Sequence, residues 1–167
     1  MPLFDDAIDA AARSTLAACA RRGLTLATAE SCTGGLLAGA LTEIPGSSAV
    51  VERGVVTYSN AAKTELLGVP SALFESVGAV SEEVARAMVE GLLARAPVDL
   101  ALSVTGVAGP GASERKPEGL VFLAVGLRDK EVLIVRETFG AIGRGAVRLN
   151  SVRRGLSMLE DMAVLSE

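Results

Sequence analysis

The run VDLALSVTG, residues 98–106, is nearly continuous in apolar and small side chains, with Asp99 as its one charged residue. A strand with one face in water alternates apolar and polar positions, whereas a strand apolar throughout must be covered on both faces. That single stretch calls for helices above and below a sheet. The segment before it, SEEVARAMVEGLLARA, has Ser81 placed as an N-cap and Glu82 and Glu83 in its first turn, where acidic groups suit the helix dipole. Residues 3–22 carry Phe4, Ile8, Ala12 and Leu16 at helical spacing, with Asp5 and Asp6 at the start and Arg21, Arg22 and Gly23 at the end.

The pattern repeats along the chain. LTLATA (24–29) reads as a strand, followed by a helix from about Thr33 to Ile44 and a break at PGSS. RGVVTYS (53–59) reads as a strand and NAAKTELLG as a short helix ending at Gly68. GLVFLAVGL and KEVLIVRETF form an antiparallel pair turning at Arg128-Asp129, and a last helix runs from about Gly145 to Leu165. Alternating strands and helices predict an α/β fold, a single three-layer α/β/α sandwich over residues 1–167 with a mixed, about five-stranded sheet.

Charge and composition narrow the function. The net charge is −4 with no basic run beyond pairs such as Arg153-Arg154, so no nucleic-acid partner is expected. The start MPLFDDAIDAA is acidic and unlike an export signal, and no apolar run is long enough to span a bilayer, so no membrane partner is expected. Two cysteines, Cys19 and Cys32, form no metal-ligand pattern and suit a reducing compartment. The expectation is a cytoplasmic domain without metal or cofactor. The chain contains no histidine, which removes every Ser-His or Cys-His mechanism.

The stretch TAESCTGG, residues 28–35, then raises a chemical question, because Ser31 and Cys32 are adjacent nucleophile candidates. It lies at the carboxyl end of a strand and the start of a helix, where α/β sheets collect ligands. Gly34 and Gly35 would let a substrate approach the backbone. A plainer reading has Ser31 or Thr33 capping the helix and Cys32 as a small buried side chain. A serine nucleophile without histidine would need a desolvated lysine or a carboxylate as base. Lys63, one of three lysines, follows the sole tyrosine, Tyr58, in TYSNAAK. Glu30 is the weaker base, since neighbouring side chains leave a strand on opposite faces.

Two more features could bind a ligand. The glycine-rich loop 106–118 lacks the spacing of a P-loop or a dinucleotide fingerprint, yet its early glycines could present N–H groups to an anion. Arg144 and Arg148, four apart at the start of the last helix, share a face and could clamp a phosphate, or could be ordinary solvated charge.

Five segments in this order, TAESCTGGLLAGALTEIPGSS, GVVTYSNAAKTELLGV, GAVSEEVARAMVEG, TGVAGPG and KPEGLVFLAVG, resemble the CinA C-terminal domain family, also called the nicotinamide-nucleotide amidase family, from about residue 8 to residue 160. The resemblance implies a metal-independent, cofactor-free amidase of three-layer α/β/α fold that commonly forms homo-oligomers. It also implies hydrolysis of the carboxamide of nicotinamide mononucleotide to nicotinic acid mononucleotide and ammonia. The family serine falls on Ser31, the lysine on Lys63 and the tyrosine on Tyr58, which leaves Cys32 a packing neighbour. Substrate contacts are expected from Glu30, Cys32, Thr33, Gly34, Gly35, Thr105, Gly106, Gly109, Arg144 and Arg148. Related chains also occur as the second half of a longer protein with a molybdopterin-binding-like first domain, and no residues here are expected to form one.

Three positions depart from the family wording: Ala112 stands near a common glycine, Glu118 replaces a small apolar residue, and Gly143 replaces an aspartate. Two other readings are a non-catalytic nucleotide-binding module of the same fold and an amidase for another small carboxamide.

Overall fold

The computed structural model describes residues 1–113 and 115–166. Glu114, inside the predicted 106–118 loop, lies outside the described residues. Five strands, β1 (Leu26–Glu30), β2 (Val51–Val56), β3 (Leu100–Gly106), β4 (Leu120–Leu127) and β5 (Leu133–Thr138), form one sheet in the order β2-β1-β3-β4-β5. β1 pairs parallel to β2 and to β3, and β3-β4 and β4-β5 are antiparallel, so the sheet is mixed as predicted. Six helices cover it: α1 (Asp6–Arg21), α2 (Leu36–Thr42), α3 (Asn60–Leu67), α4 (Ala72–Ser76), α5 (Glu82–Arg95) and α6 (Arg144–Leu165).

Alternation along β3 divides the core. Leu100, Leu102 and Val104 point into one cluster with Ile8, Leu37, Leu41, Leu156 and Leu159, which is the layer of α1, α2 and α6. Ala101 joins the opposite cluster with Leu67, Val84, Met88 and Leu92, under α3 and α5. The side chains of β3 on that second face are small, which lets α5 lie close to the sheet. The Ser103 hydroxyl donates to the Ala85 carbonyl on α5 at 2.7 Å, satisfying a polar group in a fully buried position. Ser81 caps α5 by accepting from the Val84 amide, as its sequence position predicts.

Two differences from the sequence reading have local causes. The second helix starts at Leu36 rather than Thr33, because residues 32–35 are spent on a turn in which Gly34 and Gly35 take φ of 58° and 94°. The short helix α4 was not predicted; none of its residues is buried, so it carries no periodic apolar signal.

Close approach between α3 and α5 sets where α3, and Lys63 on it, sits. A Cβ built on Gly91 of α5 would lie 1.8 Å from the Leu67 carbonyl oxygen at the end of α3. Gly91→Ala must therefore push the two helices apart, and overpacking of this kind costs about 1–3 kcal/mol. The expected result is a melting temperature lower by about 2–10 °C for a chain of this size, read by thermal denaturation; an unchanged value would contradict the close contact.

Candidate active site

Ser31 extends β1 by one residue, its amide donating to the Val104 carbonyl at 2.9 Å. The chain then turns sharply, with the Gly34 amide bonded back to the Ser31 carbonyl at 3.0 Å. Two charged side chains brace this turn from behind. The fully buried Glu30 carboxylate accepts from the Leu37 amide at 2.9 Å and the Ala38 amide at 3.0 Å, capping α2. Arg148 on α6 donates from Nε to the Cys32 carbonyl at 3.1 Å and from Nη2 to the Thr33 carbonyl at 3.2 Å. The first amides of a helix lack intrahelical partners, so a buried carboxylate there satisfies both the donors and its own charge.

Lys63 approaches Ser31 from the opposite layer. It occupies the first turn of α3, whose start is capped by Ser59 accepting from the Ala62 amide. Its side chain is 1% exposed. The Nζ lies 3.1 Å from Ser31 Oγ, 2.9 Å from the Thr57 carbonyl and 3.3 Å from the Tyr58 carbonyl. Ser31 itself keeps 8% exposure, so its hydroxyl faces both the amine and an open cleft.

That cleft has a volume of about 420 Å³, inside the range of about 300–1,000 Å³ usual for small-ligand sites. Ser31 and Lys63, Thr105 and Gly106, and the 107–113 limb of the glycine loop all line it. Thr105 is held by a hydrogen bond to the Ala79 carbonyl at 2.9 Å. At the mouth, Arg144 donates to the Gly109 carbonyl at 2.7 Å and to the Tyr58 hydroxyl at 2.9 Å.

Of the residues singled out from the sequence, Ser31, Cys32, Tyr58, Lys63, Thr105, Gly106, Gly109 and Arg144 line this cleft. Glu30, Thr33, Gly34, Gly35 and Arg148 do not: they build the turn that follows Ser31 or bond to it. The helix-cap reading of Ser31 and Thr33 also gives way, because Gly35 holds the N-cap position of α2 with no side-chain cap from either, and Thr33 Oγ1 has no partner among the described residues. Tyr58 meets Lys63 through its backbone carbonyl, while its hydroxyl is engaged by Arg144. Asn60, at the start of α3, lines the cleft as well. Its one sequence signal was its place between Tyr58 and Lys63.

Electrostatics separate the two neighbouring nucleophile candidates. Burial pushes the Cys32 thiol up to about 12 and the Cys19 thiol to about 11, so both stay protonated near neutral pH. Among the described residues no cluster of three or more His, Cys, Asp or Glu side chains forms a metal site. Among the described residues no helix is long and apolar enough to cross a membrane.

Fold and site together define an α/β protein with a serine-lysine pair beneath a glycine-rich loop. The chain matches the CinA C-terminal domain over residues 8–163 and belongs to that family. It is 52% identical over 138 residues to a CinA-like protein of Synechococcus sp. (strain CC9902), covering 82% of this chain and 33% of that protein. It is 50% identical over 136 residues to the nicotinamide-nucleotide amidohydrolase PncC of Enterobacter agglomerans, covering 81% of this chain and 82% of that one. The crystal structure of the competence/damage inducible protein CihA from Agrobacterium tumefaciens superposes with a TM-score of 0.94 at 49% identity, covering 97% of this chain and 99% of that chain. The chain thus spans about a third of the length of the longer curated relatives, such as the Synechococcus protein.

The thiol state is directly testable. Iodoacetamide should leave both cysteines of the folded protein unmodified at neutral pH and label both in denaturant, read by mass spectrometry. Fast labelling of Cys32 in the native protein would contradict its burial.

Proposed function

We propose that this chain is a nicotinamide-nucleotide amidase, hydrolysing the carboxamide of nicotinamide mononucleotide through a serine acyl-enzyme with lysine as base. The observation that carries the reading is the hydrogen-bond geometry around Lys63. Lys63 Nζ donates to the Thr57 and Tyr58 carbonyls, which hold the amine at the end of β2, and to Ser31 Oγ. At 3.1 Å from Ser31 Oγ, the nitrogen is within reach for proton removal once it is uncharged. Burial favours the uncharged form of an amine in general, which suits a base.

In this mechanism Lys63 takes the Ser31 proton as the serine oxygen bonds to the carboxamide carbon. The carbonyl π pair moves onto oxygen. The amide of Cys32, the residue after Ser31 and itself part of the cleft lining, would donate to that oxyanion; one such donor contributes about 3–4 kcal/mol. The Gly34 amide is excluded, being bonded to the Ser31 carbonyl. Collapse of the intermediate breaks the C–N bond, and the Lys63 ammonium returns its proton to the departing nitrogen as ammonia. A water then attacks the ester with Lys63 again as base, releasing nicotinic acid mononucleotide and restoring the serine hydroxyl.

Arg144, exposed at the N-terminus of α6, is the cation at the cleft mouth and takes the 5′-phosphate in this reading, with the helix dipole adding to its attraction. The name of the Enterobacter relative, at 50% identity, supports the same substrate.

Ammonia release from nicotinamide mononucleotide tests the proposal. Turnover should survive Cys32→Ala and fall by about a thousandfold or more in Ser31→Ala and Lys63→Met, since the members of such a unit fail together. Arg144→Ala should raise KM for the mononucleotide while leaving the riboside, which lacks phosphate, unaffected. Binding without turnover in the unmutated protein would favour a non-catalytic nucleotide-binding module. Equal turnover of amides with and without a phosphate would favour a different amidase.

A further inference from the structure

The glycine loop is held by a carboxylate that its sequence motif does not require. Glu118 Oε2 accepts from the Gly111 amide at 2.7 Å. Its Cγ, Cδ and Oε1 lie where a side chain on residue 109 would go, since a Cβ on Gly109 would meet Glu118 Cδ at 2.4 Å. Gly109 is therefore clasped from behind by Glu118, while its carbonyl accepts from Arg144 Nη1 at 2.7 Å in front. Glu118 does not itself line the cleft, although Gly109, Gly111 and Arg144 do. The early glycines were expected to offer N–H groups to an anion; the Gly111 amide is already taken by this internal one.

We propose that Glu118 is a positioning residue: its carboxylate fixes the Gly109–Gly111 limb, and through the Gly109 carbonyl it sets Arg144 at the mouth of the cleft. Recognition of the substrate's phosphate then rests on the held guanidinium of Arg144 and not on the amide of Gly111. The inference deepens the nucleotide reading of this cleft and rests on it. The relevant property is reach as well as charge. An aspartate at 118 keeps the charge but draws the carboxylate back by one carbon, whereas a glutamine keeps an acceptor oxygen at full length.

Binding is best measured in a Ser31→Ala background, where ligand is not consumed, by calorimetry with nicotinamide mononucleotide and with nicotinamide riboside. Glu118→Ala and Glu118→Asp should each weaken mononucleotide binding by about tenfold, the loss expected for an unanchored charged contact, and leave riboside binding unchanged. Glu118→Gln should stay within about twofold of the parent on the same scale. Hydrogen exchange at the Gly111 amide should quicken in the alanine and aspartate variants and remain slow in the glutamine variant. Mononucleotide binding that is unchanged or tighter in Glu118→Ala would overturn the inference, as would equal weakening of both ligands. A Ser31→Ala parent that binds neither ligand would overturn the nucleotide reading, and this inference with it.

Discussion

An amine taken out of water costs free energy unless its polar atoms are met, and a charged one costs far more. Lys63 is 1% exposed, so the surrounding backbone has to be arranged around its nitrogen. Carbonyls of Thr57 and Tyr58 turn inward to accept from it, which requires β2 to end at Val56 and the chain to bend before α3 begins. Placing Lys63 in the first turn of α3 also directs its long side chain back toward the sheet end, in keeping with the N-terminal tilt of helical side chains. α3 is in turn set by its contact with Gly91 of α5. Disturbing any of these would move the amine relative to the serine.

The partner hydroxyl is fixed from the other layer. Glu30 ties β1 to the first amides of α2, and Arg148 ties α6 to the carbonyls of Cys32 and Thr33. Two helices, α2 and α6, are thus tied to one turn, and Ser31 meets the Lys63 amine where β1 and β2, neighbouring parallel strands, end. The sheet end is a natural meeting point because parallel strands carry their connections to helices from the same edge. The glycine loop closes the arrangement, anchored at its base by the Val107-Leu120 and Gly119-Val107 backbone bonds and at its tip by Glu118 and Arg144.

Much of this was legible in the chain. The apolar run of β3 demanded two covering layers, and Ser81 and Gly68 marked helix ends where the structure has them. The absence of histidine directed attention to a lysine, and the geometry brings Lys63 within hydrogen-bond reach of Ser31. What stayed hidden depends on contacts between distant segments. Glu30 looked like a substrate contact beside Ser31, but its carboxylate reaches amides seven and eight residues ahead, beyond any local capping pattern. Arg148 shared a helix face with Arg144, yet the layer packing turns one guanidinium to the nucleophile turn and the other to the cleft mouth. Glu118 stood out only as an unusual residue; its partner in the loop depends on a backbone path that composition does not reveal.

Passage of the acyl group through Ser31, as proposed above, is open to direct observation. Enzyme in excess should be mixed with nicotinamide mononucleotide, acid-quenched on the millisecond-to-second scale, and the peptide containing residues 28–35 sequenced by mass spectrometry. A transient nicotinoyl-mononucleotide ester should appear on Ser31, forming and decaying with product release, and should not form in the Lys63→Met variant. The same adduct on Cys32, or product appearing across the whole time course with no adduct on either residue, would contradict it.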